Sequence, residues 1–266
     1  MKVDIAGVLI DNITKREALD QIDNFVQSDS PHYIVTPYSE QIIFALQDKE
    51  YLQVLNKSSL ALPDGIGILW AAKFLSLKGN WLASVWQIIY TGAAIIFNPT
   101  YVRSVIREQI PGNRLAYDLA KLAADNNYSL AFVGGQDNVA AQAAYELKKL
   151  YPSVKINLAL SGRPFDNQII KEISESNSDI LIIAHSPPHQ ERWIAENLSK
   201  LDVKLAIGLG GTFDYLAGKR AVRPDFMHQM GLEWLWRLIT QPWRIKRIWN
   251  AVPVFIWKIY KYKIIK

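Results

Sequence analysis

Apolar residues occur along this chain as short continuous runs that alternate with longer stretches of helical spacing. Residues 3–10 are predicted to form a strand, and the capping-box sequence at residues 14–17 predicts a helix that reaches about Ser28. Short strands then alternate with helices of about ten to fifteen residues, which predicts an α/β fold with a Rossmann-like, mostly parallel sheet and helices on both faces. The other predicted strands are residues 32–36, 59–62, 130–133, 154–160, 180–184 and 204–207.

Residues 79–102 interrupt this pattern because they contain no charged side chain. The centre of the segment, residues 81–97, approaches the roughly 20 residues needed to span a bilayer, but polar residues lie at its middle and at both ends. We therefore predict an apolar helical insertion at about residues 74–107, in which a helical hairpin packs on the body or dips into a membrane interface. A transmembrane span and an ordinary buried helix pair are the alternatives.

Positive charge and tryptophan are concentrated in residues 219–266. This part has eleven Lys and Arg against two acids, a charge of +9, whereas the whole chain carries +5, so residues 1–218 carry −4. It also holds five of the nine tryptophans. Aromatic rings interleaved with cations favour an anionic membrane surface, and a nucleic-acid-binding tail is the alternative. We predict a body, residues 1–218, that folds without the rest, and a C-terminal helical membrane-binding appendage, residues 219–266.

Other features of the composition restrict the chemistry and the location. The chain has no cysteine, so a disulfide, a thiolate nucleophile and a cysteine-bound zinc are excluded, and we predict neither a metal site nor a cofactor. Polar and charged residues near the N-terminus leave no apolar run of export-signal length. The expected location is therefore cytoplasmic, peripheral on the inner face of the cell membrane.

Several candidate site residues follow predicted strands. Asp64, which precedes Gly65 and a helix start, suits a general base or a ligand for a sugar hydroxyl, although a plain helix N-cap explains it equally well. Gly134 and Gly135 also lie between a strand and a helix. Such a turn suits a phosphate, but a tight turn needs glycine in any case.

Two further segments combine polar or cationic residues. A Pro-Pro loop presents Gln190 and Glu191 at a helix start, where they suit recognition of a base or a sugar, or simply cap the helix. Arg220 and Arg223 suit bidentate binding of a diphosphate, and a solvated basic face is the alternative.

Seven short blocks in the sequence occur in a recognisable order. They are T-P-Y-S-E at 36–40, L-P-D-G-I-G-I at 62–68, R-E-Q-I-P-G at 107–112, S-P-P-H-Q-E at 186–191, G-L-G-G-T-F-D at 208–214, G-L-E-W-L-W-R at 231–237 and Q-P-W-R at 241–244. Together they resemble the WecG/TagA/CpsF glycosyltransferase family, the N-acetylmannosaminyltransferase group. The likeness covers nearly the whole chain, and its last blocks are the most specific.

The resemblance implies an inverting glycosyltransferase. Its donor would be a UDP-sugar carrying an N-acetylhexosamine-type sugar, such as ManNAc or a ManNAc-uronate-like sugar, and its acceptor a polyprenyl-diphosphate-linked sugar at the cytoplasmic membrane face. The product would serve cell-surface polysaccharide synthesis. A non-enzymatic, membrane-tethered nucleotide-sugar-binding module is the alternative, and the sequence leaves open a homo-oligomer.

The resemblance also suggests roles for individual residues. Asp64 is expected to act as the general base, with Thr36 as a second catalytic residue beside it. The remaining assignments are donor binding by Gly134, Gly135, Gln190, Glu191 and Gly211, acceptor-diphosphate binding by Arg107, Arg220 and Arg223, and membrane contact by Arg237, Arg244, Arg247, Trp236 and Trp243.

The sequence departs from the family pattern at three positions and in one segment. Tyr38 replaces the family's asparagine, Gln109 replaces an arginine, and Arg114 stands where an aspartate is usual. Residues 78–103 are longer and more apolar than the corresponding family segment. These departures concern the identity of donor and acceptor more than the class of reaction.

Overall fold

A computed structural model describes residues 1–162, 166–220, 227 and 233–265 of the chain. Its main sheet has six parallel strands in the order β4-β3-β8-β7-β5-β6, which confirms the predicted α/β class. The strands, including an N-terminal pair outside this sheet, are β1 Lys2–Ile5, β2 Val8–Asp11, β3 His32–Val35, β4 Leu60–Ala61, β5 Ser129–Gly134, β6 Lys155–Leu160, β7 Ile180–Ala184 and β8 Leu205–Gly208.

Helices connect and cover these strands. The capping box predicted at residues 14–17 is present, with Thr14 and Glu17 bonding each other's backbone N–H groups. The helices are α1 Lys15–Gln27, α2 Ser39–Gln47, α3 Lys49–Asn56, α4 Ile66–Ser76, α5 Trp81–Phe97, α6 Pro99–Val102, α7 Gly112–Asn126, α8 Val139–Leu150, α9 Asn167–Glu175, α10 His189–Asn197, α11 Thr212–Leu216, α12 Glu233–Thr240, α13 Ile245–Trp249 and α14 Phe255–Ile265.

The N-terminal segment is an antiparallel hairpin, so the prediction of one strand over residues 3–10 is wrong. The chain reverses at Ala6 and Gly7, which both have positive φ, at 53° and 94°. A two-residue turn of this kind normally has the sequence Asn-Gly or Asp-Gly. Ala6 is not a typical turn residue, so the turn is not recognisable in the sequence. Asp11 then attaches the hairpin to the sheet, because its Oδ2 accepts a hydrogen bond from the N–H of Ala61 at 2.9 Å.

Two hydrophobic cores lie on the opposite faces of the sheet. In β5, Leu130 and Phe132 face one core while Ala131 and Val133 face the other. The same alternation occurs in β7, as the two-residue period of a strand requires. Because both faces are buried, the strands read as continuous apolar runs, which is why the sequence predicted them well.

The apolar insertion is the 17-residue helix α5 followed by the one-turn helix α6. It packs on the body through a buried edge that includes Thr91, whose Oγ1 accepts a hydrogen bond from Trp70 Nε1 at 2.9 Å. Its opposite face is exposed: Trp86 is 73% accessible to solvent. None of the helices in the described ranges combines the length and apolar character needed to cross a bilayer.

The C-terminal helices return to the body. A break at Gln241 separates α12 from α13, since Pro242 starts a short 3₁₀ turn. In α14, Phe255 and Ile259 are fully buried in the core that contains Trp70.

The end of α14 is held to α5 by a lysine. Lys263 Nζ donates hydrogen bonds to the backbone oxygen of Phe74 at 2.6 Å and to Gln87 Oε1 at 2.5 Å. Burial lowers the pKa of Lys263 to about 8. The last helix therefore shares the core of residues 1–218, whereas the division of the chain after residue 218 stays a prediction.

Candidate active site

A cavity of about 630 Å³ opens at the carboxyl ends of β3, β4, β7 and β8. Ligands of parallel α/β sheets bind at this edge because the loops that follow the strands converge there. Of the predicted site residues, the structure brings five to its lining: Thr36, Asp64, Gln190, Gly211 and Arg220.

Backbone hydrogen bonds hold Asp64 at the cavity wall. The N–H of Asp64 donates to the oxygen of Pro37 at 3.0 Å, which ties the loop after β4 to the loop after β3. Gly65 has a φ of 105°, a conformation that favours glycine and turns the chain into α4. The carboxylate Oδ2 accepts a hydrogen bond from the N–H of Gly112 at 3.3 Å, at the start of α7.

Thr36 lies next to Asp64 in space. It is buried, and its Oγ1 is 3.5 Å from the backbone oxygen of Gly208. A Cβ atom at Gly112 would lie 3.6 Å from Asp64 Oδ2 and 3.7 Å from Thr36 Oγ1. Gly112 therefore lies against both polar groups, a contact that the sequence did not reveal.

Gln190 braces the site. Its Oε1 accepts hydrogen bonds from the N–H groups of His185 at 3.2 Å and Gly210 at 3.1 Å, so it joins the loops after β7 and β8. Its Nε2 donates to Glu191 Oε1 at 2.7 Å. These bonds give Gln190 a positioning role between the two loops, and its assignment to donor binding stays a prediction.

Glu191 lies behind the cavity wall, outside its lining. Its carboxylate accepts hydrogen bonds from Gln41 Nε2 at 2.8 Å and from the hydroxyl of Tyr51 at 3.3 Å. Burial raises the pKa of Glu191 to about 7 and also raises the pKa of Tyr51. The network joins α10 to α2 and α3, so Glu191 supports the site from beneath, and its assignment to donor binding stays a prediction.

Glu191→Gln is expected to raise the free energy of unfolding by an amount that grows with pH. With its pKa at about 7 against an ordinary 4.5, the folded state keeps a proton that the unfolded chain releases in this window, so the wild type loses stability as pH rises through it. Glutamine stays neutral and removes this loss. Above about pH 7 the loss in free energy of unfolding is about 3 kcal/mol.

Urea unfolding at about pH 5 and about pH 8 measures this effect. Glu196→Gln is the matched control, because Glu196 lies on the same helix with an exposed side chain. If the free energies of unfolding of Glu191→Gln and the wild type differ by the same amount at both pH values, Glu191 does not lose a proton in this range.

Gly134 and Gly135 lie outside the cavity lining. A Cβ at Gly134 would be 2.4 Å from the oxygen of Ala184, and one at Gly135 would be 2.1 Å from Val139 Cγ1. Close packing of strand, turn and helix therefore accounts for both glycines. The structure gives no separate support to a phosphate site there.

The predicted arginines have different surroundings. Arg220 lines the cavity, where its Nη2 forms an ion pair with Asp214 Oδ2 at 2.7 Å. A Cβ at Gly211 would lie 3.1 Å from Arg220 Nη1, so the glycine makes room for the guanidinium. Arg107 is not brought to the cavity, because it pairs with Glu17 at 2.6 Å and bonds the backbone oxygen of Asn12. It therefore anchors the start of α1.

Some predicted residues lie outside the described part of the chain. Arg223 is one of them, and the side chains of Arg237, Arg244 and Arg247 are also outside it. Trp236 is half-buried and Trp243 is 75% exposed. Among the residues that the structure describes, no group of three or more His, Asp and Glu side chains is arranged to hold a metal ion.

Sequence reasoning missed the apolar half of the cavity. Its apolar lining includes Trp70, Ile88 and Ile95, together with Val252 and Ile256. These residues come from α4, α5 and the C-terminal segment. The only sequence signal was the uncharged stretch at residues 79–102, which predicted a helix but not that this helix forms a wall of the site.

The parallel sheet and the cavity at its carboxyl edge place this protein among the α/β proteins that bind a ligand beyond the ends of their strands. Comparison with known proteins is more specific. The model of the glycosyl transferase WecG/TagA/CpsF family matches residues 3–82 and 79–266, and the chain belongs to this family. It is therefore a glycosyltransferase.

The curated relatives agree with this family assignment. An N-acetylglucosaminyldiphosphoundecaprenol N-acetyl-beta-D-mannosaminyltransferase of Staphylococcus aureus (strain MRSA252) is 26% identical over 271 residues, which cover 98% of this chain and 93% of the relative. The proteins of the same name from strains NCTC 8325 / PS 47 and COL show the same identity and coverage.

Proposed function

We propose that this protein transfers an N-acetylhexosamine-type sugar, ManNAc or a ManNAc-uronate-like sugar, from a UDP donor to a polyprenyl-diphosphate-linked sugar, with inversion at the anomeric carbon. The observation that carries the proposal is that Asp64, Thr36 and Arg220 all line one cavity at the carboxyl edge of the sheet. The Staphylococcus relatives, whose name specifies N-acetyl-β-D-mannosaminyl transfer to N-acetylglucosaminyldiphosphoundecaprenol, support the choice of sugar and acceptor.

The proposed reaction is a single displacement. The acceptor hydroxyl attacks the anomeric carbon of the donor while the bond from that carbon to the UDP oxygen breaks, and UDP leaves with the electron pair. Asp64 takes the proton of the attacking hydroxyl as general base. Thr36 positions the reacting groups, and Arg220, with its fixed charge, faces the acceptor diphosphate. One displacement from the opposite side inverts the configuration.

Membrane contact belongs to the same proposal. Trp243, Trp249 and Trp257 are 75%, 63% and 53% exposed, an arrangement that suits the interface of a bilayer. Lys246 and Lys261 are exposed in the same segment and would attract anionic lipid. A polyprenyl-linked acceptor stays in the bilayer, so an enzyme that binds the membrane surface meets its substrate there.

The purified protein incubated with a panel of UDP-sugars and a short polyprenyl-diphosphate-GlcNAc analogue tests the proposal, with products identified by mass. Growth of the acceptor by one N-acetylhexosamine residue, with release of UDP, is the expected result. Binding of UDP-sugar without transfer would instead indicate a binding module. Release of free sugar would indicate a hydrolase.

Two sets of arginines are expected to act differently. Arg220→Gln with Arg223→Gln is expected to lower turnover with the lipid acceptor while membrane binding persists. Arg237→Gln, Arg244→Gln and Arg247→Gln together are expected to weaken liposome binding by about two orders of magnitude, because each cation near anionic lipid contributes about 1 kcal/mol. Raised salt should reproduce the second effect in the wild type.

Liposome co-sedimentation and transfer rate, measured on both multiple variants, separate these roles. Lys171→Gln is a suitable control, because this exposed cation on α9 pairs only loosely with Glu175 at 3.6 Å. Equal proportional losses of binding and transfer in both sets would show that the basic residues form one undifferentiated surface.

A further inference from the structure

The cavity has two chemically different ends. Its polar end, as we name it, is the part of the lining that includes Asp64, Thr36 and Arg220. Its apolar end is the part that includes Ile88 and Ile95 of α5 and Ile248 and Val252 of the C-terminal segment. A sugar and a diphosphate need only the first end, so the apolar end is left without a ligand in the proposed reaction.

Helix α5 separates this apolar end from the outside. Ile88, Gly92 and Ile95 are spaced four and three residues apart, so they form one edge that faces the cavity. The neighbouring face presents Trp86, which is 73% exposed, and Ile89, which is 59% exposed. An apolar surface therefore continues from the cavity, around α5, to the exterior of the protein.

The wall formed by α5 is fixed in place. Trp70 holds its middle through the hydrogen bond to Thr91, and Lys263 holds its first half through Gln87. Gly92 follows directly after Thr91, and a Cβ atom built there meets no atom within 4 Å apart from its chain neighbours and the backbone of its own helix. Glycine is a poor residue for a helix interior, and here it widens the cavity where α5 faces the C-terminal segment.

We propose that this apolar end binds the first isoprenoid units of the acceptor lipid, which pass between α5 and the segment from Ile248 to Ile256. The inference rests on the proposed function and adds a hydrocarbon-binding subsite to it. The acceptor lipid carries both a diphosphate and a hydrocarbon chain. With the diphosphate at the polar end, the hydrocarbon chain needs a path without charged groups that leads to an exposed apolar surface. Residues 79–102 supply that path without a single charge.

Gly92→Phe tests the subsite by filling it. The new side chain starts in open space, and phenylalanine is better tolerated than glycine inside a helix, so folding is expected to be retained. Ala93→Phe is the matched control, since Ala93 is exposed on the same helix and lies outside the cavity lining. Acceptors with one, two and three isoprene units on the same diphosphate-linked sugar are compared below their critical micelle concentrations.

In the wild type and in Ala93→Phe, kcat/KM is expected to rise by about tenfold or more for each added isoprene unit, because each buries several methylene-sized groups. In Gly92→Phe the rise per added unit is expected to fall below about threefold, because the new side chain occupies the space that the added units would fill. Calorimetric titration with farnesyl diphosphate, in the absence of donor, is expected to show weaker binding to Gly92→Phe only.

The outcomes separate the two proposals. A wild type that binds farnesyl diphosphate but transfers sugar to no acceptor would contradict the proposed function and leave the subsite supported. Equal chain-length dependence in Gly92→Phe and the wild type would overturn the subsite. Light scattering gives the molecular mass of each variant in solution. If Gly92→Phe changes this mass but not the chain-length dependence, the subsite is also overturned, because the wall then binds a second copy of the chain.

Discussion

Asp64→Asn is expected to lower turnover by about 10²–10⁴-fold while the protein still folds and binds UDP-sugar. The amide has the same shape and can still accept the hydrogen bond from the N–H of Gly112. It cannot take the proton of the acceptor hydroxyl. Single-turnover transfer to a short polyprenyl-diphosphate-GlcNAc analogue, together with calorimetric titration of UDP, measures both properties.

Glu40→Gln is the matched control for this experiment. Glu40 is the other carboxylate among the described residues that line the cavity, and its Oε2 accepts a hydrogen bond from the hydroxyl of Tyr38 at 3.1 Å. We expect Glu40→Gln to change turnover by less than about tenfold, because its carboxylate follows the start of α2 and lacks the strand-end position of Asp64. If Glu40→Gln is the more damaging variant, the base has been misassigned.

The elements of the sheet were predictable because each is a local signal. Strands buried on both faces, such as β5 and β7, read as uninterrupted apolar runs, and Asp64 could be placed at a strand end from its neighbours alone. The same local logic failed at Ala6, where a positive φ occurs without the usual turn residue.

Long-range contacts could not be predicted in this way. Glu191 bonds Gln41, which is 150 positions away, and no pattern in either segment indicates that pair. Gln190 suits a ligand because it is polar and follows a strand, but nothing in the sequence indicated that it also bonds the backbone of the adjacent loops and the side chain of Glu191. A polar residue near a site has the same sequence signature whether it holds a substrate or holds the loops that do.

Removal of residues 219–266 is expected to destabilise the body severely, in contrast to the expectation drawn from the strand pattern alone. Phe255 and Ile259 are fully buried, and Phe255 forms an edge contact with Trp70 at 6.2 Å between ring centroids. Loss of one such buried side chain typically costs about 2–5 kcal/mol. Loss of both approaches the entire stability of a typical domain, about 5–15 kcal/mol.

Thermal unfolding and binding of a hydrophobic dye measure this effect in the truncated protein. The full-length double variant Phe255→Ala with Ile259→Ala separates packing from charge, because it removes buried side chains and keeps every cation of the segment. We expect it to lower the melting temperature nearly as much as the truncation while retaining liposome binding. A truncated protein that melts cooperatively at the wild-type temperature would show instead that residues 219–266 are an independent appendage, and that Trp70 and the apolar end of the cavity are stable without their cover.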